Sequence, residues 1–149
     1  MQENAFYNCN RAFFATELVA DFINWAEGWN NDRPVYYNAQ VFVDGNFEYI
    51  VVDEGYAIIS LYFGNETDIN IPGKLSGVDV RIIESYAFSI EYNGNLDDVQ
   101  SIRIPASVEV IKKDGIKLDT TIYCAAAKKP GGWEQNWAGY NAIITWGEY

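Results

Sequence analysis

Ile69-Asn70-Ile71-Pro72 and Ile102-Arg103-Ile104-Pro105 are one four-residue pattern written twice, 33 positions apart. An I-x-I stretch puts both isoleucines on one face of a short strand, and the proline that follows ends it because it has no amide hydrogen to give to a ladder. Each copy leads into V-x-x-I, first Val80 and Ile83, then Val108 and Ile111, now 28 positions apart because the first copy carries five extra residues. Ala87-Phe88 follows four residues after Ile83, and Gly115-Ile116 holds the same place after Ile111. A unit this small cannot bury its own apolar face, so copies must stack as in a solenoid. The pattern predicts Ile71 and Ile104 on neighbouring parallel strands, about 5 Å apart. The competing reading is a sandwich whose strands share turn chemistry, and antiparallel pairing of these isoleucines would favour it.

A second self-similarity flanks the first. Asn24 to Tyr37 reads NWAEGWNNDRPVYY and Gly132 to Trp146 reads GWEQNWAGYNAIITW, so that Trp25 and Trp29 match Trp133 and Trp137 at an offset of 108. With one inserted residue, Val35 and Tyr37 match Ile144 and Trp146. Each segment is a W-x-x-x-W pair followed by a short alternating strand, and the two are expected to superpose.

Between these features the periodicities are simpler. Leu18, Phe22, Trp25, Ala26 and Trp29 fall on one helical face, with Thr16 placed to cap a helix over 17 to 28 and Gly28 to end it. Gln40 to Val43, Phe47 to Val52 and Tyr56 to Tyr62 alternate or run apolar, with Asp44-Gly45 and Glu54-Gly55 at the joints, which predicts a three-stranded antiparallel meander.

The order I-P, V-x-x-I, A-F and then a further I-x-I-P resembles the BspA-like leucine-rich repeat. Ala5-Phe6-Tyr7-Asn8-Cys9 resembles the A-F-x-x-C that closes such a repeat, so the chain is expected to begin inside one. Thr121-Ile122-Tyr123-Cys124, Lys129 to Trp133 and the closing Ile144-Thr145-Trp146-Gly147 are similar to the terminal cap of these arrays. The resemblance implies a mainly β (α+β) chain: a short leucine-rich-repeat-like solenoid with a small antiparallel meander and short helices. The organisation expected is a single module, 1–149, cut from a longer bacterial protein: a partial repeat with a helix and tryptophan cap over 1–39, the meander over 40–68, two degenerate repeats over 69–120 and a terminal cap over 121–149. It also implies a secreted or cell-surface adhesion module that contacts host or community proteins or glycans, with a signal peptide upstream of this segment.

Composition narrows the chemistry. Ten basic against 21 acidic residues leave a net charge of -11, which repels nucleic-acid phosphates and anionic membrane surfaces. No apolar run is long enough for a spanning helix. Histidine is absent, which removes the commonest metal ligand and general base. Asp53-Glu54, Asp97-Asp98 and Glu134 could supply paired carboxylates for glycoside cleavage, but no spacing pairs them, and solvated turn residues are the expected reading. The oxygen-rich loops Asp44-Gly45-Asn46 and Asn93 to Asp98 fit no twelve-residue calcium loop, and Asn65-Glu66-Thr67 is a glycosylation sequon that reads as a turn. No catalytic, cofactor or metal residue is assigned, no cofactor is expected and the ligand-binding residues stay unknown. The aromatics, 5 Trp, 11 Tyr and 8 Phe, suit a protein interface or a sugar platform, and a row of coplanar exposed rings would favour sugar. Cys9 and Cys124 are expected as buried thiols, a bridge being the unforced alternative. Any self-association is expected through residues 1–16, where charges at Phe13 and Phe14 would weaken it.

Overall fold

The computed structural model describes residues 13–17 and 34–149. The helix expected over 17–28, the tryptophan pair Trp25 and Trp29, the A-F-x-x-C segment and Cys9 lie outside the described residues, apart from Glu17. The chain is mainly β, with strands in several sheets. The described residues begin with a small parallel pair, β1 (Phe14–Ala15) and β2 (Val35–Tyr36). Then comes the meander, β3 (Gln40–Asp44), β4 (Phe47–Val51) and β5 (Ala57–Tyr62), antiparallel throughout. Gly45 takes a φ of 56° and Gly55 one of 80° at the two joints, conformations that side chains with a Cβ rarely adopt.

From here the chain circulates. β6 (Asp68–Asn70) begins a first circuit, followed by β7 (Lys74–Leu75), β8 (Val78–Ile83) and β9 (Phe88–Ser89). A 3-10 helix, Gly94–Asp98, closes it. A second circuit runs through β10 (Ser101–Ile104), β11 (Val110–Ile111) and β12 (Ile116–Lys117), and a third through β13 (Thr121–Cys124) and β14 (Gly132–Trp133) to the last strand, β15 (Ile143–Trp146). Strands of successive circuits pair in parallel: β6 with β10, β8 with β11 and β9 with β12. The expected parallel pairing of the two I-x-I-P segments is present: Ile69 is the register partner of Ile102, and the Ile71 amide donates to the Arg103 carbonyl at 3.0 Å. Ile83 pairs with Ile111 and Phe88 with Ile116, the places that the shorter offset assigned. The insertion at Gly73 to Gly77 folds as a hairpin, β7 against β8, turned by Ser76 and Gly77 at φ of 46° and 84°. It bulges out, and beyond it β8 still pairs in parallel with β5 and β11, with one register shift opposite Ala57 and Ile58.

The register builds the core. Ile69, Ile102, Ile122 and Ile144 form one stack across the four-stranded sheet β6-β10-β13-β15. Ile59, Ile83, Ile111 and Trp133 form a second across the seven-stranded sheet, and Phe88, Ile116 and Ala138 a third. Most of these side chains are fully buried, so each circuit covers the apolar face that its predecessor could not close alone. Cys124 continues the inward alternation of β13, is buried and free, and burial pushes its thiol up to about 12. The tail expected as a cap is itself a circuit in the same register, with Trp133 where the earlier turns carry isoleucine.

The meander does not stand apart. β5 pairs in parallel with β8, so the meander extends the sheet of the circuits into the order β14-β11-β8-β5-β4-β3. Its inner strands β4 and β5 are buried on both faces: Tyr49, Ala57 and Ile59 turn to the main core, while Ile50, Val52 and Ile58 form a second core with Phe13 and Ala39. Phe13 is buried there, edge-on to Tyr36 at 5.7 Å, so a charge at Phe13 would act on this core before it acts on any surface. The same segment is tied to the circuits through a buried polar pair. The Tyr36 hydroxyl donates to the carboxylate of Glu84, a residue only 2% exposed. Burial first, and then the Glu84 charge, hold the Tyr36 hydroxyl far above the ordinary tyrosine range.

That pair gives a pH dependence of stability. Because the folded value lies above the unfolded one, the protonated hydroxyl contributes fully below about pH 10, and its contribution is lost as the pH rises beyond. Tyr36→Phe is expected to lower stability at neutral pH by about 1.5–3 kcal/mol, because a buried carboxylate loses its donor. Thermal melts between pH 8 and 11 check it: the wild type should lose stability above about pH 10, and the variant should lose less.

Candidate ligand-binding face

The residues between the isoleucines decide what the four-stranded sheet shows to solvent. Side chains alternate across a strand, so the register that stacks Ile69, Ile102, Ile122 and Ile144 inside places their neighbours in two outward columns. One column is Asp68, Ser101, Thr121 and Ile143, in which Ser101 is covered and only 7% exposed, and the other is Asn70, Arg103, Tyr123 and Thr145. Neighbouring strands lie about 4.8 Å apart, so each column spans about 14 Å.

The columns are organised by contacts between side chains. The Arg103 guanidinium lies over the Tyr123 ring, 4.6 Å from its centroid. Its Nη1 reaches the Ser101 hydroxyl at 3.5 Å, and that hydroxyl donates to Asp68. The planar guanidinium is thereby held between a ring and a hydroxyl while part of it stays open to solvent. A surface of this kind offers amide, guanidinium, hydroxyl and phenol groups to a ligand laid across the strands. Sequence reasoning left these residues unassigned, although part of the signal was in hand: Asn70 and Arg103 are the x of the two I-x-I stretches, and Asp68 and Ser101 stand just before them. They form a face only once the parallel register is known.

The groups singled out as chemical candidates are dispersed. Asp53 and Glu54 are exposed in the turn between β4 and β5, where Asp53 accepts from the Asn38 amide. Asp97 and Asp98 are exposed on the 3-10 helix. Glu134 follows β14, accepts from the Lys113 amide at 2.8 Å and lies 3.5 Å from the Lys112 ammonium. The structure therefore sets these acids on three separate elements, in turn and surface roles. Asp44 accepts from both the amide and the hydroxyl of Ser76, at 2.7 and 3.0 Å, clasping the meander to the β7–β8 hairpin. Asn93 caps the 3-10 helix through the Asn95 amide and donates to the carbonyls of Tyr62 and Gly64 at 3.2 and 2.8 Å. Asn65 and Thr67 of the sequon are exposed, and the Thr67 carbonyl accepts from Gln100 and Ser101. Among the described residues no group of three or more Cys, Asp or Glu is placed to hold a metal ion, and no helix is long and apolar enough to cross a membrane.

No protein-family model and no curated protein matches the chain. Among solved structures, a leucine-rich cell surface protein from Faecalibacterium prausnitzii A2-165 is similar, with a TM-score of 0.56 over 71% of this chain at 19% sequence identity. The chain spans 30% of that protein's length. At this identity the likeness is one of fold: the mainly β architecture seen here is shared with part of a leucine-rich cell surface protein.

Proposed function

We propose that the chain is a non-catalytic binding module of a secreted or cell-surface protein, built as a BspA-like leucine-rich-repeat solenoid and contacting a protein ligand through the outward face of the four-stranded sheet. The observation that carries this reading is the double column Asp68-Ser101-Thr121-Ile143 and Asn70-Arg103-Tyr123-Thr145, a regular polar and aromatic plane set by the register. Its groups suit recognition by hydrogen bonds, and an arginine with its guanidinium stacked on a tyrosine ring is a typical interface anchor. The fold likeness to a leucine-rich cell surface protein supports the same placement. A glycan ligand is the second reading. It is weaker because the two columns carry one aromatic ring, that of Tyr123, and no row of them.

The test is binding of the chain to a panel of host-surface glycoproteins and to a glycan array, repeated with Arg103→Ala and Tyr123→Ala. Each variant is expected to weaken protein binding by about tenfold or more while the melting temperature stays within a few degrees, since both side chains are only half-buried. Binding that survives both variants, or release of sugar from any glycan, would overturn the proposal.

A further inference from the structure

β3 is the outermost strand of the seven-stranded sheet, and among the described residues it pairs with β4 alone. Natural edge strands are guarded by lysines, prolines, bulges or cover, because a bare row of amides and carbonyls is a template for another strand. β3 reads Gln40-Val41-Phe42-Val43-Asp44, has no lysine, proline or bulge, and is not covered by another strand among the described residues. The irregularities in this sheet fall further inward, at Glu48/Tyr49 and at Ala57/Ile58. Its central side chains are bare instead: Val41 is 56%, Phe42 41% and Val43 62% exposed.

From this edge we infer that the chain associates with a second copy of itself by antiparallel pairing of β3 with β3, centred on Phe42. The two-residue joint Gly45-Asn46 makes Asp44 and Phe47 a hydrogen-bonded pair, and alternation along the ladder then turns the amides and carbonyls of Val41 and Val43 to the open edge. A twofold axis at Phe42 sets Val41 opposite Val43 of the second copy, so these residues exchange their hydrogen bonds in both directions. The side chains agree with the backbone. Phe42 already stacks on Tyr49 at 5.6 Å, and pairing brings the Phe42 ring of the second copy alongside on the same face, continuing an aromatic row across the axis. The one acid of the strand, Asp44, meets Gln40 of the second copy, so no like charges oppose each other, and its carboxylate is already held by Ser76.

Because the chain carries a net charge of -11, two copies repel at long range, and added salt is expected to tighten an apolar edge contact where it would loosen an ion-paired one. Sedimentation velocity from micromolar to millimolar protein, at low and high salt, tests the inference on the wild type and on Val41→Lys, Val43→Lys and Phe14→Lys. The wild type should be a dimer that salt tightens. Each β3 variant should weaken it by about tenfold or more, with an unchanged melting temperature at dilutions where all are monomeric, since these positions are exposed and a lysine on an edge blocks pairing. Amide exchange is the measurement that needs no variant: at dimer-forming concentration the Val41 and Val43 amides should slow, while those of Gln40 and Phe42, bonded to β4, should not change. A wild type that stays monomeric, even one that captures a foreign extended peptide on β3, overturns the inference. So does a dimer that only Phe14→Lys dissociates, which would put the contact at the N-terminal segment.

Discussion

Trp133→Ala is expected to cost about 3–5 kcal/mol and to lower the melting temperature by about 10 °C or more, the largest effect of any single truncation in the last circuit. Trp133 is 2% exposed and takes the place of isoleucine in the stack that begins Ile59, Ile83, Ile111. Its ring lies 4.7 Å from that of Trp137 and 5.6 Å from that of Trp146, and its indole N–H donates to the Val108 carbonyl at 3.2 Å. Alanine would leave a cavity the size of an indole, one unpaired buried carbonyl and two tryptophans without their common partner. Trp133→Phe keeps most of the volume and loses the hydrogen bond, so it should fall between the two. Urea unfolding followed by tryptophan fluorescence and by circular dichroism checks the value, and a loss below about 1 kcal/mol would mean that the indole does not hold the tail on the stack.

Phe88→Ala is expected to have a similar cost, about 3–5 kcal/mol, for a different reason. Phe88 is fully buried, stacks on Tyr62 of the meander with ring centroids 5.5 Å apart, meets Phe47 at 6.4 Å and is the register partner of Ile116 in the second circuit. One side chain thus joins the meander to two circuits, and its loss should make unfolding less cooperative as well as easier, visible as a smaller denaturant dependence. Tyr62→Phe is the matched control. The Tyr62 hydroxyl is buried without a hydrogen-bond partner among the described residues, so removing it should change stability by less than about 1 kcal/mol.

What could be read before the structure was what local rules dictate. Alternation and the trailing proline of Ile69 to Pro72 and Ile102 to Pro105 encode inward isoleucines and a strand end, and the phase kept by Val80, Ile83 and Phe88 against Val108, Ile111 and Ile116 encodes their stacking. The meander was legible because its turns carry Gly45 and Gly55. Three things were not. The third circuit hides its register because Ile122-Tyr123-Cys124 lacks the proline and Trp133 replaces an isoleucine, so only backbone pairing reveals the equivalence. The union of the meander with the circuits rests on β5 pairing in parallel with β8, a contact between strands with no shared pattern. The outward face and the bare β3 edge belong to positions that no local pattern marks, and such positions acquire meaning only from their neighbours across the ladder. The first tryptophan pair lies outside the described residues, yet β2, which follows it, pairs in parallel with β1 much as β15, which follows the second pair, does with β13.

The parallel register is the claim from which core, outward face and edge all derive, and nuclear Overhauser contacts across β6, β10 and β13 test it most directly. Parallel strands keep facing α-protons far apart, whereas antiparallel strands bring the α-protons of non-hydrogen-bonded pairs into close contact. The account predicts amide-to-α contacts that place Ile102 beside both Ile69 and Ile122, with no close α-to-α contacts between these strands. Strong α-to-α contacts between residues 68–71 and 101–104 would contradict it.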